Sequence, residues 1–95
     1  MIANPTNRFP LGQIVATPGA IEAMQDAKQI PSVFLNRHAA GDWGDICLED
    51  KSLNDAAVND EGRLLSAYRT SLGVKLWIIT EADRSSTTIL LPEEY

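Results

Sequence analysis

Between Arg63 and Pro92 the chain carries three strand-like runs joined by links too short for anything but hairpins. The runs are Arg63–Thr70, Val74–Glu81 and Ser86–Pro92, and the links are Ser71-Leu72-Gly73 and Ala82-Asp83-Arg84-Ser85. A parallel crossover needs roughly a dozen residues or more, so these links impose antiparallel neighbours and a three-strand meander. The middle run sets Val74, Leu76 and Ile78 on one face and Lys75, Trp77 and Ile79 on the other. Both faces are rich in apolar groups, as expected of a central strand.

The first two thirds of the chain change period. Leu11–Thr17 has strand composition, and Thr17-Pro18 reads as a helix start, with a hydroxyl N-cap followed by proline at the first helical position. Ala20, Ile21, Met24 and Ala27 then share one helical face, and Gln29-Ile30-Pro31 ends the helix, because the residue before proline avoids the helical region. Ser32 is placed to cap a second helix over Val33–Ala40, closed by Gly41. A third runs from about Leu48 to Asn59, with Leu53, Ala56 and Ala57 as a narrow apolar face and Gly62 as its stop. Residues 1–10, with two prolines and two asparagines, read as a flexible arm ahead of a single domain over 11–95. The pattern predicts an α+β fold in the order β-α-α-α-β-β-β, its three helices on one face of a small, mainly antiparallel sheet. Either edge of the meander could accept the first strand.

Charge is unevenly placed. The chain has 95 residues and net charge −5, and Asp42, Asp45, Glu49, Asp50, Asp55, Asp60 and Glu61 face only Lys51 in their segment. Solubility is the ordinary reading of such a cluster; a negative face for a basic partner is the functional one. Nucleic-acid binding is disfavoured, because phosphate contacts need clustered Lys and Arg. A lone cysteine, Cys47, excludes an intrachain disulfide and suggests a reducing compartment. With no apolar stretch suited to a signal peptide or a membrane span, the expected location is cytoplasmic.

The chemistry-bearing residues are sparse. His38 is the only histidine, Cys47 sits among apolar residues and acids that disfavour a thiolate, and no phosphate-binding glycine loop is present. No metal set and no cofactor are expected. Trp43, in Gly41-Asp42-Trp43-Gly44, is either an anchor between helices and sheet, with Asp42 capping a turn, or the centre of an exposed binding patch. The polar run Thr80–Thr88, with Asp83 and Arg84 at its centre, is either a hairpin turn or a binding site at one end of the sheet.

Several stretches together resemble a family of small uncharacterised proteins encoded on bacterial plasmids, integrative elements and phages. They are Leu11–Ala20, Arg37-His38 with Gly41–Gly44, Arg63–Tyr68, and Trp77–Ser85 through Thr88–Tyr95. The resemblance implies a mobile-element setting and no particular activity. The reading that follows is a non-catalytic module that binds a protein partner, serving such an element as an inhibitor of host defence through its acidic face. An unpaired sheet edge would also invite a homodimer. The alternative is a small ribonuclease-like toxin with His38, Tyr68, Arg69, Arg84 and Thr88 as its polar site. That layout is a fold-level analogy, and the acidic composition opposes it.

Overall fold

The computed structural model describes residues 7–95. It is α+β: strand β1 (Gln13–Ala16), helices α1 (Pro18–Asp26), α2 (Pro31–Ala39) and α3 (Leu48–Asp60), then β2 (Leu64–Arg69), β3 (Lys75–Thr80) and β4 (Ser86–Leu90), with a 3-10 turn over Pro92–Glu94. The meander forms as expected: β2 and β4 each pair antiparallel with β3. The first strand chooses the β4 edge and runs parallel to it, giving the order β1-β4-β3-β2.

Local chemistry sets the helix ends. Thr17 stands at φ −74°, ψ 157°, its hydroxyl accepts from Ala20 N–H, and Pro18 occupies the first turn. The Glu94 carboxylate reaches the same end, accepting from Thr17 Oγ1 at 2.5 Å and Gly19 N–H at 3.1 Å, where the helix dipole favours a negative charge. The start of α2 lies two positions earlier than expected. Pro31 itself opens the helix, Ile30 is the N-cap without a side-chain bond, and Ser32 falls inside the first turn. Proline's fixed φ already suits the first helical position, so no hydroxyl cap is needed there. The stop of α3 is likewise one residue early, at Glu61 in the left-handed region (φ 56°, ψ 40°).

One face of the sheet carries the core. Tyr68, Leu76, Ile78 and Ile89 pack with Ala20, Ala23 and Met24 of α1 and Phe34 of α2. Ile21, expected inside, is 43% exposed, and Ala23 takes its place. A second cluster joins Phe9, Trp43 and Leu64, with Ala57 and Val58 of α3 against them. Phe9 is only 6% exposed, and Arg8 N–H donates to Ala39 O at 2.7 Å. Arg8 and Phe9, expected in a loose arm over residues 1–10, are therefore docked on the domain; residues 1–6 lie outside the described residues.

Helix α3 flanks the sheet at β2, and its buried face differs from expectation. Leu53 is 62% exposed while Asn54 is buried. The reason is a backbone need. Asn54 Nδ2 donates to Leu65 O at 2.7 Å and Leu65 N–H donates back to Asn54 Oδ1 at 3.3 Å. Two residues on, Ala67 N–H donates to Trp43 O at 3.1 Å and Ala67 O accepts from Asp45 N–H at 2.6 Å. An amide side chain and a stretch of loop thus stand in for a missing neighbour strand. Gly44, at φ +76°, lies between the last two contacts, and a Cβ there would meet Ala67 O at 2.1 Å and the Tyr68 ring at 2.6 Å.

Gly44→Ala should therefore lower stability by about 3 kcal/mol, combining left-handed strain with a backbone clash. Gly73→Ala, at φ +84° with nothing within 4 Å of its Cβ, should lose only about 1 kcal/mol. Urea unfolding of the two variants side by side measures the difference; equal losses would mean the loop does not press on β2 as described.

Candidate functional site

The residues singled out by chemistry fall into two groups, one sealed inside and one on the surface. His38 heads the first. It lies on α2 with no exposed surface, as do Ser66, Thr80 and Thr87 on the sheet. Its Nδ1 is 2.5 Å from Ser66 Oγ and its Nε2 2.8 Å from Thr80 Oγ1. Thr80 Oγ1 is 2.8 Å from Thr87 Oγ1, which donates to Leu11 O at 2.7 Å.

The roles in this relay follow from its last link. A carbonyl only accepts, so the Thr87 proton is committed to Leu11. Thr87 Oγ1 must then accept from Thr80, and Thr80 Oγ1 from His38 Nε2–H. Burial keeps the imidazole neutral at pH 7, so Nδ1 is left to accept from the Ser66 hydroxyl. The pair Ser66–His38 has the spacing of a nucleophile and its base, but the third group is a threonine and not a carboxylate, and no substrate can reach either atom without opening the core. Phe9 and Trp43 close over the imidazole with ring centroids 5.3 and 5.6 Å away.

The other members of the toxin-like set lie apart. Tyr68 is 2% exposed, and its hydroxyl donates to the Asp42 carbonyl; burial pushes its pKa up to about 12. Arg69 is exposed at the end of β2, 3.6 Å from Asp45. Arg84 donates to Gly62 O at 2.6 Å and Ala57 O at 2.8 Å, so it closes the C-terminal end of α3, where a cation is favoured. Thr88 lies half-buried on β4, its side chain on the face turned away from the buried Thr87 and Ile89. Asp83 holds the hairpin turn by accepting from Ser85 N–H at 3.0 Å. Tyr68 and Arg69 do share an open cleft of about 330 Å³ with Arg37, Asp42, Gly44 and Asp45. Its charges cancel: Arg37 pairs with Asp42 at 2.7 Å and Arg69 with Asp45, and the Arg37 hydrogen bond holds the Asp42 carboxyl below its ordinary range.

Trp43 is an anchor. It is 3% exposed, stacks on Phe9 at 6.0 Å, and donates Nε1–H to Asp55 Oδ1 at 2.9 Å. The same carboxylate oxygen meets Arg8 at 3.2 Å. Of the seven clustered acids, Asp42, Asp45 and Asp55 therefore pair with partners in the same chain while remaining exposed. Glu49, Asp50, Asp60 and Glu61 are exposed on α3 and its cap, with no ion pair among the described residues. Beside them, unexpectedly, stand Leu48 at 81% and Leu53 at 62% exposure. A further groove of about 340 Å³, on the sheet face opposite the core, is lined by Arg63, Leu65, Trp77, Ile79 and Tyr95. Arg63 bridges it, donating to Tyr95 Oη at 2.6 Å and lying 3.7 Å from Glu81. The alternation of β3 already placed Trp77 and Ile79 on that face; the folding back of Tyr95 had no local signal.

Among the described residues no His, Cys, Asp and Glu side chains gather as a metal site, and no helix is long and apolar enough to cross a membrane. No family model matches the chain, and no curated protein or solved structure resembles it significantly.

Burial, and secondarily the charge of Arg84, lowers the His38 pKa from 6.5 to about 4. On acidification the unfolded chain takes up this proton first. The stability contributed by neutral His38 is thus complete above about pH 6.5 and drains away as pH falls toward 4. About 2 kcal/mol should be lost between pH 7 and pH 5 in urea titrations. Asp42 and Asp55, held low by their partners, give up their share only below their ordinary 3.8. An imidazole resonance titrating near its free value in the folded protein would contradict the relay.

Proposed function

We propose that this protein is a non-catalytic protein-binding module and that α3 presents its contact face. One observation carries the reading. The longest helix, 13 residues, buries only Asn54. It holds out Leu48 and Leu53 among Glu49, Asp50, Asp60 and Glu61. Exposed leucines ringed by unpaired carboxylates complement a partner whose apolar depression is rimmed by Lys and Arg. The unpaired part of the acidic surface is narrower than the composition suggests, since three of its seven carboxylates already pair within the chain. On a bacterial mobile element such a face would serve as an inhibitor of host defence: carboxylates satisfy the Arg and Lys groups of a nucleic-acid channel as phosphates do. The sealed His38 and the dispersed Arg69, Arg84 and Thr88 favour this reading over a ribonuclease.

The test is capture of the partner from host extract followed by binding measurements with both proteins purified. Glu49→Lys with Asp50→Lys should slow association roughly 10-fold at low salt and less as salt screens the charges. Leu48→Ser with Leu53→Ser should speed dissociation roughly 10-fold or more, as loss of central apolar contacts does. The leucine pair should leave the urea midpoint nearly unchanged, because those side chains are exposed, whereas the lysine pair, in the first turn of α3, should lower it modestly by opposing the helix dipole without unfolding the domain. A partner that binds both variants as tightly as wild type would sink the α3 assignment, and turnover of RNA by the purified protein would sink the module reading altogether.

A further inference from the structure

The two edges of the sheet are finished differently. At β2 the outward groups of Leu65 and Ala67 are all taken by Asn54, Trp43 and Asp45. At β1 they are not. Gln13 N–H donates to Ser85 O and Thr17 N–H to Ile89 O, each at 3.0 Å, within the parallel register Gln13↔Ser86 to Ala16↔Ile89. Backbone groups alternate along a strand, so the odd-numbered residues turn to β4 and the N–H and C=O of Ile14 and Ala16 point outward. Among the described residues no loop or side chain meets them.

The edge also lacks the usual protection. Leu11–Thr17 contains no charge and no proline, while Ile14 and Val15 are 43% and 42% exposed. Charges, prolines and bulges are the devices that keep bare edges from pairing. The competent stretch is short and sharply bounded. Gly12 leaves the extended region at φ +66°, and Pro18 has no N–H to offer. Only Gln13–Thr17 remains, and its centre is Val15.

We propose that this edge pairs with the same edge of a second copy, antiparallel about a two-fold axis at Val15, joining the two four-stranded sheets into one. The register is self-complementary. Ile14 falls opposite Ala16 of the second copy, and Ala16 opposite its Ile14, so the outward groups exchange four backbone hydrogen bonds. On the core side a large side chain meets a small one, and Ala16 already packs against the main cluster. On the other face the two Val15 side chains meet in the closer, non-hydrogen-bonded pair. No charged side chain enters this stretch, and the sheet order β1-β4-β3-β2 sets α3, packed at β2, on the far side from the axis. Self-repulsion at net charge −5 is therefore least where the copies meet. Each dimer would carry two outward α3 faces, although the pairing does not depend on what α3 binds.

Four backbone bonds and a few apolar pairs make a small interface, so association in the range of roughly 0.01–1 mM is expected. Sedimentation equilibrium of the full chain from ~10 µM to ~1 mM should show a concentration-dependent monomer–dimer equilibrium. Val15→Lys and Val15→Glu should each weaken it roughly 10-fold, because like charges then face each other across the axis. An equimolar mixture of the two variants should restore association, since opposite charges meet. Only pairing about Val15 requires that rescue. A wild type that stays monomeric at ~1 mM, a dimer indifferent to both substitutions, or loss without rescue in the mixture would each overturn the proposal.

Discussion

The chain of hydrogen bonds through His38 is the constraint on which the rest of the domain depends. Ser66, Thr80 and Thr87 occupy the helix-covered face of three strands, where each hydroxyl would be costly to bury alone. His38 on α2 completes the set, and the Leu11 carbonyl ends it. The network thereby ties one helix, three strands and the segment leading into β1 to one another. No buried side-chain polar atom among the described residues is left without a partner. A satisfied polar network inside a small core favours a unique packing over a merely compact one.

Around that centre, charge and aromatic groups divide between support and display. Phe9 and Trp43 shut water away from the imidazole, and Asp55 holds both Trp43 and Arg8. Arg84 meets the open carbonyls at the end of α3. Asn54 and the Trp43–Asp45 loop close the β2 edge. What remains unengaged is therefore informative. The unpaired carboxylates and exposed leucines of α3 and the outward backbone of β1 are among the groups that the fold itself does not use.

Sequence and structure agree where the physics is local. Two short links determined the meander, Thr17-Pro18 determined the start of α1, and the doubly apolar middle run determined which strand lies at the centre of the meander. The cluster of acids and the isolation of His38 were equally plain in the residue order. Disagreement begins where a residue's neighbour lies far along the chain. Leu53 belongs to the apolar stripe of an isolated helix, yet α3 sits beside an edge strand that needs an amide, so Asn54 turns inward and Leu53 outward. Phe9 lies in a polar, proline-bearing stretch and is buried only because Trp43 and Leu64 come to meet it.

The sequence by itself determined the element types, their order and the two antiparallel pairings of the sheet, because hairpin length, capping and alternation act within a few residues. Only the tertiary structure decided that β1 joins β4 in parallel, that His38 is sealed within a hydrogen-bonded relay, and which four of the seven exposed acids remain unpaired. Those outcomes turn on contacts such as Thr87 to Leu11 and Trp43 to Asp55. They depend on register and burial, and a linear pattern of residue types carries neither.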